Sequence, residues 1–133
     1  MNQRLIPYLA YEDAPAAIDF LCRAFGFVER FRYPMPDGRI GHAEVALGEH
    51  VVMLASVHEG FGESPLRLPT VHGQIVCMVD DVDAHYAHAL EQGATLIGEP
   101  EDDHGWRSYR AMDPEGHRWI FATVLDAPGE TTP

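Results

Sequence analysis

Apolar and polar residues alternate, or recur at three- and four-residue intervals, in an order that occurs twice along this chain. Residues 5–11 (LIPYLAY) form an apolar run with the composition of a strand, and Pro7 marks an edge position or a strand start. Asp13 stands where it caps a helix over 14–25: Pro15 falls in the first turn, Ile18, Leu21, Cys22 and Phe25 recur on one face, and Gly26 ends it. Strands are predicted at 27–33, 39–47 and 50–56, the first two separated by the turn PMPDG (34–38). Residues 57–73 are rich in glycine, proline and polar residues without periodicity; they predict a connector and carry no catalytic pattern. The order then recurs: a strand at 74–79, a helix at 82–92 capped by Asp80 or Asp81, a strand at 94–98, a loop EPEDDHG (99–105), a strand at 106–112, the turn DPEG, and a strand at 117–124. The tail, 126–133, is expected to be disordered.

The recurrence is a repeat, with equivalent residues 67 to 68 positions apart: PYLAYEDAPAAIDFLCRAFG (7–26) matches IVCMVDDVDAHYAHALEQGA (75–94), and GEHVVMLA (48–55) matches EGHRWIFA (115–122). One supersecondary unit is used twice. The expected organisation is one domain over 1–133, with a first module at about 4–57, a connector at 58–73, a second module at about 74–125 and the tail. Duplicated halves facing each other across a pseudo-twofold axis share a cleft, and the function is expected there.

Alternation assigns side chains to the two faces of each strand. In 39–47, Gly41, Ala43, Val45 and Leu47 suit the helix-covered face, leaving Ile40, His42, Glu44 and Ala46 for the cleft. In the last strand His117, Trp119 and Phe121 suit the core, leaving Arg118, Ile120 and Ala122. Ile75, Cys77 and Val79 are likewise core, while Gln74, Val76 and Met78 face the cleft. The strands at 5–11 and 50–56 are apolar on both faces, so their parity stays open.

Composition narrows the partners. Twenty-one acidic against nine basic residues leave a net charge of -12, which opposes nucleic acid and anionic membranes and favours a cationic or neutral small molecule. No apolar run approaches the ~18 residues of a membrane span, and the N-terminus lacks the pattern of a signal peptide, so the expected location is cytoplasmic. Cys22 and Cys77 sit in apolar patterns without ligand spacing and read as buried free thiols.

The runs AxxAIDFLxxxFGF (14–27), VDDVDA (79–84) and DPEGHRW (113–119) resemble the vicinal oxygen chelate superfamily, which includes glyoxalase I, extradiol dioxygenases and bleomycin-binding proteins. The stretch PDGRIGHAEVALGEHVVMLA (36–55) is similar to its bacterial PhnB-like branch. The resemblance implies an α+β fold of two βαβββ modules in tandem, an eight-stranded mixed sheet curved around a cleft, usually in a homodimer. It also implies that the metal-ligand positions of metal-dependent members fall on Ile6, Met53, Gln74 and Ile120. Three of these offer hydrocarbon or a thioether where a divalent ion needs nitrogen or carboxylate oxygen, so no metal and no cofactor is expected. The expected function is metal-independent binding of a small, aromatic or antibiotic-like molecule. Its cleft is expected to be lined by Tyr8, His42, Glu44, Met53, Gln74, Met78, Arg110 and Ile120. The alternative is an enzyme of the superfamily, a lyase, isomerase or dioxygenase using a non-standard metal site or none, with His42 and Glu44 as the catalytic candidates.

Other polar residues have two readings each. His85 and His88, one turn apart, have a metal-clamping spacing, but helical phase puts Val82, Tyr86, Ala89 and Leu90 inward and predicts a solvated histidine face. His50 and His117 begin equivalent strands and suit turn packing. Tyr8, Trp106, Tyr109 and Arg110 either hold a flat ligand at the cleft mouth or bury at an interface. Asp102, Asp103 and His104 read as a solvated loop rather than a cation site.

Overall fold

The computed structural model of the chain describes residues 3–125; the tail expected to be disordered lies outside them. The chain divides into two compact units, one up to residue 69 and one from residue 70. They are termed module 1 and module 2.

Module 1 runs β1 (Tyr8–Tyr11), α1 (Ala14–Phe25), β2 (Val28–Pro34), β3 (Ile40–Leu47) and β4 (His50–Ser56). Its four strands form one mixed sheet in the order β1-β4-β3-β2, in which β1 and β4 are parallel and the other pairs antiparallel. Helix α1 starts where the sequence places it, with the Asp13 carboxylate accepting from Ala16 N at 3.2 Å. It ends at Gly26, whose φ of 84° only glycine adopts without strain and whose N–H returns to Leu21 O. Its apolar face, with Ala17, Ile18, Leu21 and Ala24, is buried over the sheet, where Ala43, Val45, Val52 and Leu54 complete the core. The first strand is shorter than expected, because Pro7 has no N–H to give; its carbonyl accepts from Met53 N instead. The connector is less loose than its composition predicts. His58 bridges to Gly62, Ser64 caps a 3-10 turn at Pro65–Arg67, and Arg67 donates twice to the Glu12 carboxylate.

Module 2 repeats the plan with β5 (Gln74–Met78), α2 (Val82–Glu91), β6 (Thr95–Asp103), β7 (Trp106–Met112) and β8 (Arg118–Val124), ordered β5-β8-β7-β6. The eight expected strands are therefore hydrogen-bonded as two four-stranded mixed sheets. Asp81, not Asp80, caps α2 through Ala84 N. Two expectations are corrected. The residues expected to form the loop 99–105 continue β6 as far as Asp103, after a register shift between Ile97 and Glu101. The true turn is only His104–Gly105, both at positive φ (51° and 83°), the geometry of a tight hairpin. In α2, Leu90, expected to face inward, is 54% exposed, while His85 is half-buried against the sheet. At roughly 100° per residue the inward arc centred on Val82 and Ala89 takes in His85 and leaves Leu90 at its edge. Among the described residues no helix is long and apolar enough to cross a membrane.

Candidate functional site

The sheet of module 1 has one face under α1 and one without a helix, and strand register fixes which side chains share the second. Tyr8, Met53, Glu44 and Phe31 stand in register across β1, β4, β3 and β2. One row on, Ala10 pairs with Ala55 and His42 with Tyr33. This settles the parity that the sequence leaves open: Tyr8 and Met53 share the face of His42 and Glu44. Ala10, Ala46 and Ala55 are buried and form a floor of small residues, while Tyr8, Phe31 and Tyr33 remain exposed above it. Parity alone places Ile40 and Ala46 in an open cleft; both are buried.

Three polar groups on this face are joined. The Tyr8 hydroxyl lies 2.8 Å from His42 Nδ1, and His42 Nε2 lies 3.1 Å from Glu44 Oε2. Both His42 and Glu44 are accessible, at 28% and 29% side-chain exposure. His42 is the sole ion-pair partner of Glu44 among the described residues; no arginine reaches it. Aromatic rings wall the group: Phe61 from the connector meets Tyr8 edge-on at 4.9 Å, His58 stacks on Phe61 at 5.0 Å, and Phe31 lies 5.9 Å from His42. Residues 57–63 of this loop border a shallow hollow of about 580 Å³. Phe31, Tyr33, His58 and Phe61 are not among the residues that the sequence singles out. The one available signal for Phe61 is its place between two glycines in GFG.

The other sequence candidates lie in module 2. Gln74, Val76 and Met78 are exposed on the helix-free face, with Arg118, Ile120, Arg110 and Met112 on the same side of β8 and β7. Arg110 pairs in register with Ile120. Tyr109 is not at a mouth: it is buried beneath α2, its hydroxyl 2.6 Å from His85 Nδ1, and burial raises its pKa. The same burial pushes the Cys77 thiol up to about 12. His85 therefore belongs to the core packing, tilted on Phe121 at 4.2 Å, whereas His88 is exposed as expected. Asp102 is held by Arg107, which also binds Asp83, and these hydrogen bonds raise the arginine's pKa. Asp103 pairs with His104. His50 is exposed, and His117 closes the DPEG turn through its backbone.

Comparison with known proteins gives this arrangement a place. Residues 5–121 match the model of the Glyoxalase/Bleomycin resistance protein/Dioxygenase superfamily. The chain belongs to that superfamily. It is 38% identical over 120 residues to uncharacterized proteins of Mycobacterium bovis and Mycobacterium tuberculosis, covering 86% of this chain and 79% and 71% of theirs. The crystal structure of TioX from Micromonospora sp. ML1 is similar at 32% identity and a TM-score of 0.74, over 94% of this chain and 98% of TioX. A glyoxalase/bleomycin resistance protein/dioxygenase family enzyme from Burkholderia phytofirmans shares the fold at 23% identity and a TM-score of 0.71, over 90% and 97% of the two chains.

Metal-dependent members of the superfamily bring a divalent ion, and the side chains here do not fit one. Ile6 and Ile120 carry no donor atom and Met53 only a soft sulfur. Among the described residues no group of three His, Cys, Asp or Glu side chains is placed to hold an ion.

Proposed function

We propose that this protein binds a flat organic molecule, without a metal, on the helix-free face of module 1. The observation that carries the reading is the Tyr8–His42–Glu44 chain, set over buried alanines and ringed by Phe31, Tyr33 and Phe61. Exposed rings supply stacking area, and the half-buried Glu44 carboxylate, lacking an arginine, selects a positive charge or a hydrogen-bond donor. Binding rather than catalysis fits a face whose family metal positions are apolar. The wording of residues 36–55 supports membership of the PhnB-like branch, and a homodimer is the assembly that goes with it.

Fluorescence titration with 9-aminoacridine, a planar cation at pH 8, and acridine, its neutral relative, tests the reading. A charge pair at ~4 Å and an effective dielectric of about 20 is worth at most ~4 kcal/mol, and the exposure of Glu44 reduces this to about 1–2 kcal/mol. Glu44→Gln should therefore weaken the cation roughly 5- to 30-fold and leave acridine nearly unchanged. Equal loss for the two dyes, or failure of both to bind the wild type, would reject the site.

The same hydrogen-bonded chain favours one second reading, a metal-free isomerase in which Glu44 takes a substrate proton and His42 holds the carboxylate in place. It requires turnover in chelator-treated protein that is lost in Glu44→Gln.

A further inference from the structure

In a chain with 21 acidic and nine basic residues, an arginine without a carboxylate is out of place. Five arginines are ion-paired, and Arg30 donates to Gly48 O. Of the other three, Arg4 is exposed before β1, whereas Arg110 and Arg118, whose side chains have no ion pair and no hydrogen bond among the described residues, stand on the same face of the same sheet. Met112 pairs with Arg118 and Ile120 with Arg110, so the two arginines are diagonal neighbours on adjacent strands, within reach of long side chains. Gln74 is the register partner of Arg118 on the other side. The surface beside them is apolar, with Ile120 half-buried next to both arginines and Val76 and Met78 exposed farther along β5.

The Nε of Arg118 is buried and has no acceptor. Folded proteins rarely leave a buried polar atom unsatisfied, and a cationic donor is the costliest kind to leave so. An arginine turned toward an anion closes this deficit with two parallel N–H donors, the geometry that a planar carboxylate accepts. We infer that Arg118 and Arg110, with Gln74, hold the carboxylate of an apolar organic acid on the helix-free face of module 2. The exposed valine and methionine take the hydrocarbon part, which inorganic phosphate lacks. The site's probes carry the opposite charge to those that test the reading on module 1.

Protein-observed NMR titration of the full chain at pH 8 with benzoate, benzamide and inorganic phosphate tests it. Benzoate should bind at least about tenfold more tightly than its neutral analogue benzamide, and more tightly than phosphate. Arg118→Gln and Arg110→Gln should each weaken benzoate roughly 10- to 100-fold, and Arg118→Lys, which keeps the charge and loses the fork, should fall between. The exposed Arg110 keeps the test valid if the Arg118 variants fail to fold. Equal binding of benzoate and benzamide, no benzoate binding by the wild type, or benzoate affinity unchanged in Arg110→Gln would overturn the inference. Phosphate binding tighter than benzoate would overturn the carboxylate assignment.

Discussion

Asp113, buried at the end of β7, shapes the turn into β8 with both carboxylate oxygens. Oδ1 accepts from the backbone N–H of Glu115 and His117 at 3.1 and 3.2 Å, and Oδ2 accepts from Trp119 Nε1 at 3.1 Å. Asp113→Asn keeps the shape and one acceptor oxygen. That oxygen can serve the turn or the indole, and in either case the new NH₂ faces a donor. Keeping both turn bonds is the cheaper arrangement; it loses the one charge-assisted bond to the indole in a dry site and opposes that donor, which should cost about 2–3 kcal/mol. Both tryptophans, Trp106 and Trp119, lie in module 2, so fluorescence during urea unfolding follows the affected module. With a slope of about 2 kcal/mol per M, the midpoint should fall by about 1 M or more. Trp119→Phe provides the control: combined with Asp113→Asn it removes the opposed donor, so it should cost about 1–2 kcal/mol less there than in the wild type. Destabilisation by Asp113→Asn below about 0.5 kcal/mol, or additivity of the two substitutions, would refute this account of the turn.

Two further outcomes concern buried ionisable groups. Cys22 is half-buried and its thiol is raised by burial and by the charge of Glu29, whereas Cys77 is pushed up to about 12 by burial. At pH 8 an aromatic disulfide reagent should modify Cys22 slowly and Cys77 only after urea unfolding; equal rates in the native protein would contradict the packing of β5. Cys77 and Tyr109 both have folded pKa values above their ordinary 9.0 and 10.0, so each favours the folded state while protonated. That stability is fully present below about pH 9 and is lost as pH rises toward 12. Urea midpoints should hold from about pH 7 to 9 and fall above it, and a midpoint unchanged at about pH 11 would contradict the assignment.

Helix α1 is legible to the residue because three local signals agree, Asp13, Pro15 and Gly26, and each acts within a turn of its own position, through a side-chain cap, a fixed φ and a positive φ. The extension of β6 is not, because Glu-Pro-Glu-Asp-Asp is a poor strand former and the ladder with β7 overrides its propensity. Of the candidate site, His42 and Glu44 can be read from the alternation of GHAEVAL, since period two alone puts them on one face. Tyr8 and Met53 need the register of β1 on β4 to join them. Phe61 comes from the connector, and no periodicity of β1 to β4 foretells that a loop after β4 lays a ring against Tyr8. His85 escapes the sequence because one apolar residue, Leu90, suggests a helical phase that the packing of Val82 and Ala89 does not follow.

The parallel pairing of β1 with β4 also sets an order of events when the chain is made. Tyr8 leaves the ribosome first, yet its partner Met53 is synthesised 45 positions later (53 − 8), and Arg118 trails Gln74 by 44 (118 − 74). At roughly 5–20 residues per second each opening strand waits about two to nine seconds, its edge unpaired, until the last strand of its module arrives. The last strand is thus the latch of each module, and a nascent chain halted before residue 118 carries an open β5 edge available to chaperones or to another chain.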